Sequence, residues 1–299
     1  ERLTINCGGT IGLNSLVYRS ASGEGHDGTA GSGARLVISS GSNANVVDFA
    51  PSVKTTIEDF EISGGGLLNR ILIDFNGGTQ DATLQRLILH SVDGLATSEV
   101  AGIKKEDASA LYTHNVIVYD LNNQNANRIC YGLWDASASV RVCEFANCTV
   151  VDITNSADNP DGIGIHFNND NAAKKVQNCI SMDSSGSDFG SNLTSGTEQY
   201  NMSSDTTAAG TGSLTSKTSG NQFVGPGSYL LTSGADAIDA GTDLGTSPTG
   251  VNEDIQSRDR DAQGDTWDMG AHEFVGGGGP VATKNFFSMG AANLLAGKL

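Results

Sequence analysis

Three sets of residues in this 299-residue chain have types and spacings that could do chemistry. The first is rich in carboxylates: Asp158-Asn159-Pro160-Asp161-Gly162-Ile163, followed by Asp170, with Arg128 and Arg141 upstream. Two carboxyl groups flanking a glycosidic bond act as general acid and base. Several carboxylates beside a basic residue could instead hold Ca2+ for an elimination. The second set is Asp74, Trp134 and His166, which strand alternation places outward on comparable segments. An acid, an indole and an imidazole along one face are a candidate glycan-binding groove. The third set is the histidines and cysteines. His26, His114 and His272 have no His or Cys partner at ligand spacing, and the five cysteines include no C-x-x-C. No metal centre or cofactor is expected, although the acidic chain leaves room for a structural Ca2+. No Ser-His-Asp set or phosphate loop appears, and Asn-Pro-Asp-Gly is in the first place a turn signal.

The elements that must position these residues repeat. DFEISG from Asp59, RLILHS from Arg86, NVIVYD from Asn115, NCTVVD from Asn147, NCISMD from Asn178 and NMSSD from Asn201 start 27, 29, 32, 31 and 23 positions apart. Such a period is the signature of a solenoid. Alternation puts Phe60, Leu87, Val116, Cys148, Cys179 and Met202 in one inward column and Ile62, Leu89, Val118, Val150 and Ser181 in the next. Second segments, ILIDFNG from Ile71 and IGIHFNN from Ile163, place Ile71, Ile73 and Phe75, and likewise Ile163, Ile165 and Phe167, on one face. The expected fold is all-β, a right-handed parallel β-helix. Asn115, Asn147, Asn178 and Asn201 are expected to form a hydrogen-bonded ladder along the stack. Cys148 and Cys179 then read as stacked core residues, with a disulfide left to geometry.

The outward positions of the same strands are too apolar. Ile88, Ile117, Thr149 and Ile180 form one outer column, and His90, Tyr119, Val151 and Met182 the next. Such a stripe marks a covered surface. Another part of the chain or a second subunit should pack there, and Ile88, Ile117, Tyr119 and Ile180 are candidate interface residues.

The chain divides into an N-terminal cap or irregular first coil (1–34), the β-helix (35–205), a C-terminal capping region (206–275), and a Gly linker with a docking tail (276–299). In the capping region Ala237-Ile238-Asp239-Ala240-Gly241-Thr242 and Asp268-Met269-Gly270-Ala271-His272-Glu273-Phe274, with Asp254 and Arg260 between, resemble the closing region of choice-of-anchor Q domains. The resemblance implies a β-helix surface protein of bacterial or phage origin. Ala235-Asp236 stands where that family has Ser-Pro, and Ser257 where it has Gly. Asp239, Asp254, Arg260, Asp268 and Glu273 are expected to tie loops together through charge-assisted hydrogen bonds. The Asp158–Ile163 segment partly resembles the N-T-D-G-I segment of polygalacturonase-like hydrolases, but the chain has no adjacent Asp-Asp, Gly-His-Gly or Arg-x-Lys to complete that set. In the tail, Phe286, Phe287, Leu294 and Leu295 on a Gly leash read as a docking segment.

A net charge of −17, with 39 glycines and 17% charged residues, excludes nucleic acid as a partner and suits an extracellular protein. No transmembrane run or signal peptide is present, and the chain starts at Glu1. The expected function is a non-enzymatic structural or surface-binding protein of an extracellular assembly. It would be a phage virion decoration or fibre protein, or a cell-surface adhesin, with other protein subunits, copies of itself or a surface glycan as partners. The alternative is a polysaccharide hydrolase or lyase using the Asp158–Asp170 carboxylates.

Overall fold

The computed structural model describes residues 3–5, 15–37, 45–64, 71–78, 80–94, 99–107, 109–125, 127–156, 161–190, 193–263 and 266–276. They form a parallel β-solenoid with three sheets of seven strands each. Sheet A takes Leu3–Ile5, Val47–Phe49, Ile71–Phe75, Val100–Lys105, Cys130–Asp135, Gly162–Phe167 and Ser187–Phe189. Sheet B takes Ser15–Arg19, Lys54–Glu58, Ala82–Gln85, Leu111–His114, Cys143–Ala146, Lys174–Gln177 and Thr197–Gln199. Sheet C takes Arg35–Val37, Glu61–Ser63, Ile88–Gly94, Ile117–Asn123, Thr149–Asn155, Ile180–Met182 and Met202–Ser203. Each coil visits A, B and C in turn, and every coil pairs in parallel with the next. Helix among the described residues is limited to Ser219–Gln222 and a 3-10 turn at Arg260–Ala262.

The corner between sheets B and C explains the repeat. Asp59, Arg86, Asn115, Asn147, Asn178 and Tyr200 all adopt positive φ there, between 48° and 64°. Asn tolerates this left-handed backbone better than most residues. The strand then enters sheet C with Leu87, Val116, Cys148 and Cys179 inward, and Leu89, Val118 and Val150 follow in the same core.

Two expectations of facing fail, for different reasons: in the last coil a shift of one residue reverses the side chains, and in sheet A two successive residues point inward. Met202 pairs with Ile180, not with Cys179, so it faces out and Asn201 takes the inward place. Asn201 is fully buried, donates to Val176 O (3.1 Å) and accepts from Cys179 N (2.9 Å). It is therefore no rung of the ladder. In sheet A, Ile71 and Ile163 face outward although Ile73, Phe75, Ile165 and Phe167 face inward. The preceding column is Leu72, Gly102, Gly132 and Gly164, and it points inward next to Ile73, Ile103, Leu133 and Ile165. A Cβ on Gly132 would lie 2.4 Å from Val150 Cγ1, and one on Gly164 1.8 Å from Ser181 Oγ. In the three coils that carry these glycines, sheets A and C thus approach too closely for a side chain at this bend, whereas the earlier coil accommodates Leu72.

The core also holds ions. Lys105, Asp135 and Lys174 are fully buried at the turn from sheet A to sheet B. Lys174 Nζ donates to Asp135 Oδ2, while Lys105 Nζ stands 3.8 Å from Asp135 Oδ1 and donates to Ser137 Oγ at 3.0 Å. Removing such charges from water is expensive unless every one is paired.

Residues 206–217 close the last coil, with Leu214 bridging to Met202. The rest of the C-terminal region does not sit on that end. It runs back along the outside of sheet C as far as the first coils. Gln256 Nε2 donates to Asp27 O, Ala30 N to Gly227 O, and Arg86 Nη1 bonds Glu253 Oε2 at 2.7 Å. Its hairpin, Phe223–Gly225 with Ser228–Leu231, and its residues Ala235, Ala237, Ile255, Met269 and Ala271 form one apolar cluster with Ile88, Ile117, Tyr119, Val151, Ile180, Met182 and Met202. Of the two expected coverings, the chain itself supplies the one observed, so Ile88, Ile117, Tyr119 and Ile180 are not open to a second subunit. Burying each such side chain contributes roughly 1.5–3 kcal/mol.

The closing motif makes this lid fit. Gly270 has φ +90°, and a Cβ there would come within 2.8 Å of Ile180 Cδ1 and Thr149 Oγ1. Asp268 accepts from Asp239 N (2.8 Å) and Phe274 N (2.5 Å). Arg260, fully buried, donates to Glu273 Oε2 (2.8 Å), Gly270 O (2.8 Å) and Asn115 Oδ1 (3.3 Å). Arg258 is held by Asp254 and by Glu273 O.

Candidate functional site

With sheet C sealed, the outer faces of sheets A and B remain. On sheet A, strand register places Asp48, Asp74, Lys104, Trp134 and His166 in one outward column. The three residues singled out for glycan binding are therefore brought together, but the indole is already engaged. Tyr131 stacks on Trp134 at 4.2 Å with 13° between the rings, and Lys104 Nζ stands 4.7 Å from the Trp134 ring centroid. Trp134 is only 8% exposed, and its Nε1 donates to Asn168 Oδ1 at 3.0 Å. The ring packs within a small outer apolar cluster with Ile71 and Ala101, which leaves little of its face exposed. Burial holds the His166 imidazole below its usual pKa, so the ring is neutral.

The same column contains an arrangement that sequence spacing did not indicate. Asp48 and Asp74 are directly opposed on neighbouring strands, and Asn45 Nδ2 donates to both, at 2.7 Å each. Burial, and then the Glu106 carboxylate, push Asp74 above the usual carboxyl range.

The Asp158–Asp170 set does not assemble among the described residues. Asp158 lies outside them. The Asp161 carbonyl accepts from Cys130 N at 3.1 Å, an ordinary coil-to-coil bond. Asp170 accepts from Thr194 Oγ1 and from the N–H groups of Thr194, Ser195 and Gly196. These bonds, the Thr194 hydroxyl first, lower its pKa to about 2, as suits a carboxylate that ties a loop. Among the described residues no group of three or more His, Cys, Asp or Glu side chains is placed to hold a metal ion. His26, His114 and His272 are buried separately, with burial lowering all three.

The Asn ladder is also reassigned. A single direct rung, Asn178 Nδ2 to Asn147 Oδ1 (3.0 Å), joins neighbouring coils. Otherwise these amides grip the lid: Asn115 Nδ2 donates to Gly250 O, Asn147 Nδ2 to Val251 O and Asn178 Nδ2 to Thr242 O. Phe286, Phe287, Leu294 and Leu295 lie outside the described residues.

Sheet B carries an open groove of about 670 Å3. Its floor is the outward column Val17, Thr56, Thr83, Tyr112, Glu144 and Lys175, one residue from each successive coil. Ser247, Pro248 and Thr249 of the lid form a wall. Lys54 and Lys175, both on the lining, lie four strands apart, about 19 Å at ordinary strand spacing. The lining charges are largely paired. Lys175 Nζ bonds Glu144 Oε2 at 3.1 Å, and Glu58 accepts from Arg86 Nη2 at 2.8 Å. Gln85 donates its amide to Glu58, leaving its buried Oε1 without a hydrogen-bond partner. Tyr112 is partly exposed, and burial with the nearby Asp81 and Glu144 carboxylates raises its pKa, so the phenol keeps its proton. Local sequence gave no sign of this groove, because its wall is far along the chain from its floor.

No protein-family model, curated protein or solved structure matches the chain. Among the described residues no helix is long and apolar enough to cross a membrane.

Proposed function

We propose that the protein is a non-enzymatic, surface-binding β-solenoid of an extracellular assembly, a virion decoration or fibre protein or a cell-surface adhesin. Its ligand surface is the groove along sheet B, and the ligand is a glycan. The groove is the observation that carries this reading. It is an extended polar trough with a partly exposed aromatic ring, on a rigid scaffold whose other apolar face is sealed. The resemblance of the Ala237–Thr242 and Asp268–Phe274 phrases to choice-of-anchor Q domains supports the surface setting. Attachment to the assembly falls to the tail with Phe286, Phe287, Leu294 and Leu295. Deleting residues 281–299 should abolish incorporation and leave the solenoid folded.

Polysaccharide hydrolysis is the second reading, and the opposed pair Asp48 and Asp74 favours it more than the Asp158–Asp170 segment does. The two carboxyls share one Asn45 donor, and a raised Asp74 is suited to act as an acid. Incubation with a panel of polysaccharides separates the readings. Binding without new reducing ends supports the first; release of reducing ends that Asp74→Asn abolishes supports the second.

A further inference from the structure

We infer that the sheet B groove takes a neutral, unbranched glycan laid along the solenoid axis, across the strands. This rests on the groove being the ligand surface, and it specifies what that surface selects. Direction comes from the lining: Thr56, Thr83, Tyr112, Glu144 and Lys175 succeed one another at one strand spacing each, so a linear chain meets them in sequence. Ser247, Pro248 and Thr249 line the trough, with Gly250 set against Gln85 at the end of the floor strands, so a branch on that side would meet the lid.

Neutrality comes from charge balance. The chain as a whole carries −17. The groove sets Lys54 and Lys175 against Glu58, Asp81 and Glu144, with Glu58 paired to Arg86 and Glu144 to Lys175. A polyuronate would meet no excess of positive charge and would be repelled by the surrounding field. Hydroxyl groups suit the remaining lining. Thr56, Thr83 and Thr249 offer hydroxyls that both give and accept. The Tyr112 ring supplies an apolar face for a pyranose.

Native gel electrophoresis through a linear neutral β-glucan, a heavily branched galactomannan or polygalacturonate tests this, using wild type, Tyr112→Ala and Thr83→Arg. Thr83→Arg fills the floor with a charged side chain on an outward position, and circular dichroism checks that both variants fold. The expected result is retardation by the linear neutral glycan alone, weakened about three- to tenfold by Tyr112→Ala and abolished by Thr83→Arg. Retardation by polygalacturonate or the branched glycan in preference, still lost in Thr83→Arg, would overturn the neutral, unbranched assignment while the groove stands. Absence of retardation by all three, or retardation that neither variant alters, would overturn the groove as well.

Discussion

Asn178 holds Thr242 at both of its backbone polar groups: its Nδ2 donates to the Thr242 carbonyl at 2.7 Å, and its Oδ1 accepts from the Thr242 N–H at 2.9 Å. One side chain from the sixth coil thereby fixes the lid segment that precedes the groove wall. Asn178→Ala removes both bonds and leaves two backbone groups without partners, at a cost of about 2–4 kcal/mol. Urea unfolding followed by circular dichroism should show that loss. A change no larger than that of Asn127→Ala, at an exposed loop position, would show that the grip is dispensable.

Asp135 neutralises two lysines that have no access to water. Asp135→Ala leaves both ammonium groups buried and should destabilise by about 3–5 kcal/mol. The double change Lys174→Met with Asp135→Ser should cost less than Asp135→Ala alone, because fewer charges remain uncompensated. Equal losses in the two variants would show that packing matters here and pairing does not.

Two histidines and two carboxyls of the lid and its seat make stability depend on pH in opposite senses. Burial lowers the pKa of His114 and of His272 to about 3, and each Nδ1 accepts a hydrogen bond, from Asn115 Nδ2 and from Leu231 N respectively. A depressed folded pKa gives stability that is complete above the unfolded value near 6.5 and is lost as pH falls toward about 3. Burial raises Asp268 to about 6 and Glu273 to about 7, so these act in the opposite sense, giving stability at low pH that is lost as pH rises through those values. The unfolding midpoint at pH 4.5 should therefore rise relative to that at pH 7 in His272→Gln, compared with wild type, and fall relative to it in Glu273→Gln. Parallel shifts in all three proteins would contradict the assignment.

The described thiols should be silent in the native state. Cys130, Cys143, Cys148 and Cys179 are free and buried, and burial raises the pKa of Cys130, Cys143 and Cys179. Cys148 and Cys179 donate to backbone carbonyls, Ala146 O at 3.2 Å and Phe145 O at 3.4 Å respectively. A thiol reagent followed by peptide mapping should label none of the four until denaturant is added; prompt native labelling of Cys148 or Cys179 would mean that the coils part.

The inward columns from Leu87 to Cys179 were legible because apolar side chains recur at a nearly constant period. Coil seven is shorter, so in sequence Asn201 resembles Asn178, while Tyr200 occupies its backbone position. Alternation sets Ile71 with Ile73, and Ile163 with Ile165, on one face because it does not foresee two successive inward positions, and the glycines that permit them resemble turn residues. The stripe of Ile88, Ile117 and Ile180 was visible as covered, but its occupant was not, since a lid folding back over sheet C leaves no local signal. The groove escaped for the same reason. Tyr112, Glu144 and Lys175 come from three coils and become one surface only when stacked.

The central claim is that ligand lies on sheet B. Hydrogen exchange with and without the linear neutral glycan tests it most directly, read in peptides covering Lys54–Glu58, Ala82–Gln85, Leu111–His114, Cys143–Ala146 and residues 247–249. Slower exchange in these segments, with the Ile71–Phe75 and Cys130–Asp135 strands of sheet A unchanged, is the predicted result. Protection confined to sheet A around Asp74 and Trp134 would contradict it.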